Sequence, residues 1–326
     1  MGAARETDPA LEAVDLVKTY PAGRKKPPVM ALRGLSFSAP RGTVFGLLGP
    51  NGAGKSTTVK ILSTLSAADS GSARVAGIDV AKEPERVRRA IGFVSQKPGT
   101  DPMGTATENL LLAGRLHGMS RRDAMARARE LVGKFGLADA ADRLVRTYSG
   151  GMARKLDVAL GLMHRPRVLF LDEPTTGLDP RARAELWAEI ARLAGAERMT
   201  VLLTTHYLEE ADHLADRLAI VDQGTVVAAG TPEELKSALR GDAVRVELVE
   251  PDGRALAALR TVPELGDITV DGNTLHGRTG DGARALPPVL AALEEAGIAV
   301  TSATLARPSL SDVYLRHTGH SLEGTK

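Results

Sequence analysis

Nine residues, GPNGAGKST (49–57), carry the first chemistry that can be read from this chain. Gly49, Gly54, Lys55 and Ser56 meet the spacing GxxxxGK[ST], which describes a loop that cradles phosphates. Glycine lets successive backbone N–H groups curl inward onto anionic oxygens. The candidate nucleotide cradle is therefore Gly49, Pro50, Asn51, Gly52, Ala53, Gly54, Lys55, Ser56 and Thr57. Lys55 supplies a point charge for the β and γ phosphates, and the Ser56 hydroxyl is a candidate Mg²⁺ ligand. A second cluster, VLFLDEP (168–174), ends an apolar run in Asp172 and Glu173. Acids at the C-terminal end of a buried parallel strand lie at the crevice where α/β sheets bind ligands. Asp172 is placed there to hold Mg²⁺ through its water, and Glu173 to face the γ-phosphate. His206 closes another apolar run, TVLLTTH, and Gln96 follows one in FVSQKPG. In YSGGM (148–152), Ser149, Gly150 and Gly151 lead into a helical stretch and form a second anion site at a helix N-terminus. One loop already serves one nucleotide's phosphates, so a second such site makes sense if it serves the nucleotide of another chain.

These residues need a scaffold that brings strand ends together. TVFGLL (43–48) reads as a short buried strand and KSTTVKILSTL (55–65) as a helix, so strand, loop and helix come in the required order. LEAVDLVKTY (11–20) reads as an opening strand. PAGRKKPPV (21–29) reads as a Pro-rich loop whose Arg24, Lys25 and Lys26 are solvated, with lipid head groups as the other reading. Residues 97–148 turn amphipathic and helical, as in ENLLLAGRLHGM, and form a helical subdomain inserted in an α/β core. RVLFLDEP and TVLLTTH are the continuous apolar runs of strands covered on both faces, and LAIVDQGTVVAAG (218–230) reads as a hairpin. Leu186, Trp187, Ile190 and Leu193 share one stripe of the helix between the two runs, which makes Trp187 a packing residue. The first domain is placed at 11–236. A second, at 240–318, runs strand, helix, strand, strand, helix, strand, the order of an α+β ferredoxin-like unit. It carries no motif for chemistry and reads as a dimerising or regulatory module. Pro287 and Pro288 are expected at the start of its second helix, where proline is tolerated.

Composition narrows the class. A chain of 326 residues that is 43% hydrophobic can bury two cores, and its formal charge of +2 with 3% aromatic residues argues against a nucleic-acid platform. The absence of cysteine excludes disulfides, thiolate metal sites and thiol catalysis. MGAARETDPA has no apolar core for a signal peptide, and Glu6 stands where a myristoylation motif needs Ser or Thr. No apolar run approaches the ~18 residues of a membrane helix. The expectation is a soluble, cytoplasmic protein that reaches a membrane only through a partner.

The order and spacing of GPNGAGKST, Gln96, YSGGM, LDEPTTGLDP (171–180) and TTHYLEEAD (204–212) resemble those of an ATP-binding cassette (ABC) ATPase, a P-loop NTPase fold with a helical subdomain. With PSLSDVYLRHTGH (308–320) included, nearly the whole chain is similar to the ATPase subunits of ABC-2 exporters of the daunorubicin-resistance type. The resemblance implies ATP and Mg²⁺ held between the phosphate loop of one copy and the YSGGM signature of another, in a head-to-tail homodimer. By position, Tyr20 would stack on adenine, unless it is an ordinary strand-end aromatic. Gln96 would sense Mg²⁺ and the attacking water, Glu173 would be the general base, Asp179 would link the two sites, and His206 would be the switch histidine. Met152 stands where most signatures have glutamine, which removes an amide from that position. Implied partners are a second copy and an integral-membrane permease on the inner face of the cell membrane, with no nucleic acid. A nucleic-acid or ribosome-associated ABC machine is the rival, but it would call for a long coiled-coil insertion or a second cassette. A simple P-loop kinase would not need YSGGM, and an importer is separated from an exporter only by the closer resemblance.

Overall fold

The computed structural model describes residues 9–21, 27–239, 241–250, 253–263, 265–280 and 282–320. Glu6, Arg24, Lys25 and Lys26 lie outside them. The chain forms two compact units, Met1–Ala229 and Gly230–Lys326.

The first unit runs β1 (Leu11–Tyr20), β2 (Val29–Ala39), β3 (Val44–Leu48), α1 (Lys55–Leu62), β4 (Ser70–Val75), β5 (Ile78–Asp79), α2 (Pro84–Ala90) and β6 (Ile91–Val94). There follow α3 (Ala106–Leu116), α4 (Arg121–Lys134) and α5 (Gly150–Gly161), then β7 (Val168–Asp172), α6 (Pro180–Glu197), β8 (Thr200–Thr205), α7 (Leu208–Leu214), β9 (Arg217–Asp222) and β10 (Thr225–Gly230). A four-stranded sheet has the order β2-β1-β4-β5, and a six-stranded one the order β10-β9-β3-β8-β7-β6. In the larger sheet β6, β7, β8, β3 and β9 pair in parallel. Every residue of β3 and β8 is buried, which is why these strands read as unbroken apolar runs. One apolar cluster joins β1 and β2 to α1 and the large sheet through Leu16, Leu35, Phe45, Leu47 and Leu62. The other joins α3, α4, α5 and α6 to the sheet through Leu110, Leu131, Leu156, Leu169 and Ile190.

On α6 the stripe Leu186, Trp187, Ile190 and Leu193 is buried as its spacing predicts. Trp187 does more than pack. Its Nε1 donates to Glu210 Oε1 at 3.0 Å, and the same oxygen accepts from Thr175 Oγ1 at 2.8 Å.

The second unit continues α8 (Pro232–Ser237), β11 (Asp242–Leu248), α9 (Arg254–Leu259), β12 (Gly266–Asp271), β13 (Thr274–Thr279), α10 (Gly282–Glu295), β14 (Val300–Ala306) and α11 (Leu310–Thr318). Its antiparallel sheet has the order β12-β13-β11-β14, the ferredoxin-like arrangement of a split β-α-β pair. Val244, Val246, Leu259, Leu275, Val289 and Leu293 fill the space between sheet and helices. One expectation needs correction: Pro287 and Pro288 do not start α10, because that helix begins at Gly282 and both prolines lie inside it. Both are exposed, so water can satisfy the carbonyls that lose a partner.

Candidate functional site

Parallel pairing decides where the polar residues gather. Leu48 lies opposite Thr205, and Asp172 opposite Thr204, so β3, β7 and β8 end at one level. The phosphate loop, the acid pair and His206 all leave the sheet at that edge. Two glycines of the loop are fixed by space, and one of them by backbone freedom as well. A Cβ on Gly49 would lie 2.2 Å from the Val221 carbonyl oxygen. Gly54 has φ near 110°, and a Cβ there would lie 2.8 Å from the Ala31 carbonyl oxygen. Asn51 and Gly52 are exposed at the tip, whereas Pro50, Ala53 and Lys55 are buried, Ser56 is exposed and Thr57 half-buried. The first-turn N–H groups of α1 have no partner within the helix, and together with the loop they offer an anion a set of donors.

Lys55 is only 4% exposed, and its ammonium donates to the carbonyls of Gly49 (2.7 Å) and Pro50 (3.0 Å). Burial lowers its pKa, and the negative charges of Glu173 and Asp172 oppose that shift. Glu173 Oε1 lies 3.7 Å from the ammonium, so the lysine is held over the cradle by a carboxylate as well as by two carbonyls. Gln96 Nε2 donates to Glu173 Oε2 at 3.1 Å. His206 Nδ1 approaches Glu173 Oε1 to 3.3 Å, without the alignment of a hydrogen bond. Ser56 Oγ lies 3.3 Å from Asp172 Oδ1.

Successive strand residues point to opposite faces, yet the side chains of Asp172 and Glu173 both meet the phosphate loop. The reason is a turn in the backbone. Glu173 has φ near 47°, a left-handed conformation that an ordinary side chain visits at a cost, and its N–H donates to Thr204 Oγ1 at 3.0 Å. Thr204 also donates that hydroxyl to Asp172 Oδ1 at 2.6 Å, so one threonine fixes both acids. Sequence reading missed Thr204. The available signal was a pair of hydroxyls, Thr204 and Thr205, at the end of an otherwise apolar buried strand.

The donor set at Ser56 and Asp172 is all oxygen, which suits a hard cation, but it is too small to enclose one. No group of three or more His, Cys, Asp or Glu among the described residues could hold a metal ion. The arrangement fits Mg²⁺, which keeps waters and shares phosphate oxygens, better than a metal caged by protein.

Lys55, Ser56, Gln96, Asp172, Glu173 and His206 are thus brought together. Ser149 and Asp179 are not joined to them by any hydrogen bond among the described residues. Each caps a helix: the Ser149 hydroxyl accepts from Met152 N at 3.2 Å at the start of α5, and Asp179 accepts from Ala182 N at 2.9 Å at the start of α6. The two helix starts adjoin, since a Cβ on Gly151 would lie 2.8 Å from that of Ala182, and one on Gly150 would lie 3.8 Å from the Leu178 side chain. Tyr20, at the end of β1, is paired with Val29, two residues before the Ala31 that lies against Gly54. Its ring carries Lys18 Nζ at 5.5 Å.

Known proteins resemble this chain along most of its length. The ABC transporter family profile matches residues 32–176, and that of the C-terminal domain of DrrA1-3-like ATP-binding proteins matches 230–318. The daunorubicin/doxorubicin resistance ATP-binding protein DrrA of Streptomyces peucetius is 47% identical over 315 residues, 95% of this chain and 93% of that protein. The linearmycin resistance ATP-binding protein LnrL of Bacillus subtilis is 36% identical over 320 residues, 96% of this chain and 99% of that protein. Among solved structures, an ATP-binding cassette in a dimeric post-hydrolysis state with ADP and Pi superposes with a TM-score of 0.62 at 26% identity, covering 68% of this chain and 98% of that one. The ATP-binding subunit of an ABC transporter gives 0.61 at 30% identity, covering 70% of this chain and 92% of that one. The chain belongs to the ABC transporter ATPases, in the branch of the DrrA-type resistance ATP-binding proteins.

Proposed function

We propose that this chain is the ATP-hydrolysing subunit of a drug-type exporter, acting as a head-to-tail homodimer docked on a separate membrane permease at the inner face of the membrane. The carrying observation is the convergence of Lys55, Gln96 and His206 on Glu173, one residue beyond an Asp172 paired with Ser56. In this reading Lys55 and the loop N–H groups bind the β and γ phosphates. Mg²⁺, held by Ser56 and Asp172, would neutralise charge on the phosphate oxygens. Gln96 orients the attacking water, Glu173 accepts its proton, and His206 donates a hydrogen bond to the γ-phosphate. Ser149, Gly150 and Gly151 close over the partner copy's nucleotide, Asp179 links the two sites, and Tyr20 lies against the adenine.

Export, rather than work on nucleic acid, is supported by the names of the relatives matched along most of their length. Among the described residues no helix is long and apolar enough to cross a membrane. A cavity of about 510 Å³ between the large sheet and the helical subdomain, with Leu65, Leu112 and Leu116 exposed at its wall, offers the permease a seat. The test has two arms. Purified protein should release phosphate from MgATP, and Lys55→Ala should not. Expressed together with a candidate membrane permease, the parent should lower cellular accumulation of daunorubicin and Lys55→Ala should not. Unchanged accumulation alongside active hydrolysis would reject drug export and keep the ATPase.

A further inference from the structure

Helix α5 presents Arg154 and Asp157 on one face, one turn apart, and both are buried (8% and 5% exposed). A buried arginine is costly unless its donors are used. Here they are used on main chain. Arg154 Nε donates to the Pro174 carbonyl at 2.7 Å and Nη1 to the Ser95 carbonyl at 2.7 Å. Nη2 reaches the carbonyls of Asp172 and Glu173 at 3.4 and 3.5 Å. Asp157 Oδ2 lies 3.7 Å from Arg154 Nη1, and its Oδ1 accepts from Gly99 N at 2.9 Å. The loop that carries Gln96 is therefore fastened to α5 at both ends, at Ser95 by the arginine and at Gly99 by the aspartate. The strained turn that carries Glu173 is fastened to the same guanidinium.

We propose that Arg154 is a positioning residue for ATP hydrolysis, and that the Arg154–Asp157 pair makes α5 a rigid link from the Ser149–Gly151 helix start to Gln96 and Glu173. The proposal rests on the reading of Glu173 as general base and Gln96 as the residue that orients the water. Geometry requires arginine at this position. Four carbonyls on two separate chain segments surround one planar fork of donors, whereas a lysine offers three donors on a single nitrogen. Left-handed backbone at a non-glycine residue persists only where its surroundings over-determine it, and the carbonyls of Asp172, Glu173 and Pro174 are the groups that Arg154 holds. Arg154 lies about one helical turn from Gly150, so an anion that seats on that helix start and shifts it shifts both catalytic segments with it.

Arg154→Lys tests this, with hydrogen exchange followed on residues 95–101 and 172–176 together with MgATP binding and turnover. The expected result is a cooperatively folded protein in which both segments exchange several-fold faster while α1 keeps its protection. Its MgATP affinity should be near that of the parent, and its turnover about 10 to 100-fold lower, as misplacement of reacting groups causes. Combined with Glu173→Gln, the lysine variant should cost little further turnover, because both changes act through one group. Unchanged exchange in the two segments, or an undiminished loss in the Glu173→Gln background, would overturn the proposal. If Glu173→Gln alone turns over like the parent, the base assignment falls, and exchange at 95–101 still decides whether Arg154 positions the Gln96 loop. If Arg154→Lys does not fold, Asp157→Asn keeps an acceptor for Gly99 and removes the charge beside Arg154. Faster exchange at 95–101 with reduced turnover would then support the link, and parental behaviour in both would reject it.

Discussion

If Glu173 is the general base proposed above, Glu173→Gln should separate binding from chemistry, because the residue then has two jobs that pull in opposite directions. Its carboxylate lies 3.7 Å from the Lys55 ammonium, the charge that a phosphate would use. The gross attraction at that distance is about 4 kcal/mol at an effective dielectric of ~20, and desolvation cancels most of it. Glutamine gives up that hold on Lys55, so MgATP should bind between unchanged and about tenfold more tightly, a gain of at most ~1.4 kcal/mol. Glutamine has nearly the same size and can still meet Gln96, but it cannot take a proton from water. A positioned base contributes ~10² to 10⁴-fold, so the barrier should rise by roughly 3 to 5 kcal/mol and turnover should fall accordingly. Phosphate release and fluorescent-nucleotide binding measure the two effects, and size-exclusion chromatography with MgATP should show a dimer that the parent does not accumulate. Turnover near that of the parent would refute the base assignment and leave His206 as the next candidate. An affinity loss that matches the rate loss would show that Glu173 serves binding.

Lys55→Ala removes charge-assisted contacts worth ~1.5 to 3 kcal/mol each, so MgATP affinity should fall about 10 to 100-fold with the circular dichroism spectrum unchanged; parental affinity would dismiss the phosphate-loop assignment. Ser149→Arg and Lys55→Ala chains, each inactive alone, should recover roughly a quarter of parental turnover when mixed in equal amounts, since half the dimers then hold one intact site. No recovery on mixing would mean that each site is built within a single chain. Removal of residues 230–326 should leave MgATP affinity intact in a folded protein, because every residue proposed to face the nucleotide lies before them, and loss of binding would make the second unit part of the site. The rings of His117 and His164 stack at 3.8 Å, and burial lowers both pKa values below the ordinary 6.5. The folded state thus binds fewer of these protons than the unfolded state below that value, so stability should drop as pH falls from about 6.5 toward the folded-state pKa values. Urea unfolding across that range should show a shallower pH slope in His164→Gln, and an identical slope would discount the pair.

Phosphate chemistry was legible because its parts are contiguous. A loop that must curl, place a cation and ligate a metal needs its glycines, lysine and hydroxyl within a few residues, and Gly49, Lys55 and Ser56 supply them. The acid pair was legible because two carboxylates after a buried apolar strand have no other ready explanation. The supports of those acids were not legible. Arg154 meets Ser95 across 59 positions, and in sequence it is one more charge on an amphipathic helix. Thr204 is one threonine among several, and only the strand register sets it against Asp172. The left-handed turn at Glu173 falls on a residue type that gives no local sign of it. The start of α10 differs from the expectation because Gly282 is a weak helix former, whereas proline is favoured in a first turn, so the sequence draws the boundary toward Pro287.

The hydrogen bond that ties Trp187 to Glu210 has a spectroscopic consequence. Trp187 is the chain's only tryptophan, and its partner oxygen also binds Thr175, two residues past Glu173. Indole emission follows the field and bonding at its N–H, so the tryptophan emission of the unmodified protein samples a single position tethered to the turn that follows the acid pair. With no cysteine in the sequence, thiol dyes attach only where a cysteine is deliberately introduced. The native chain therefore carries one optical gauge beside its chemistry, on a background clear for a second label anywhere else.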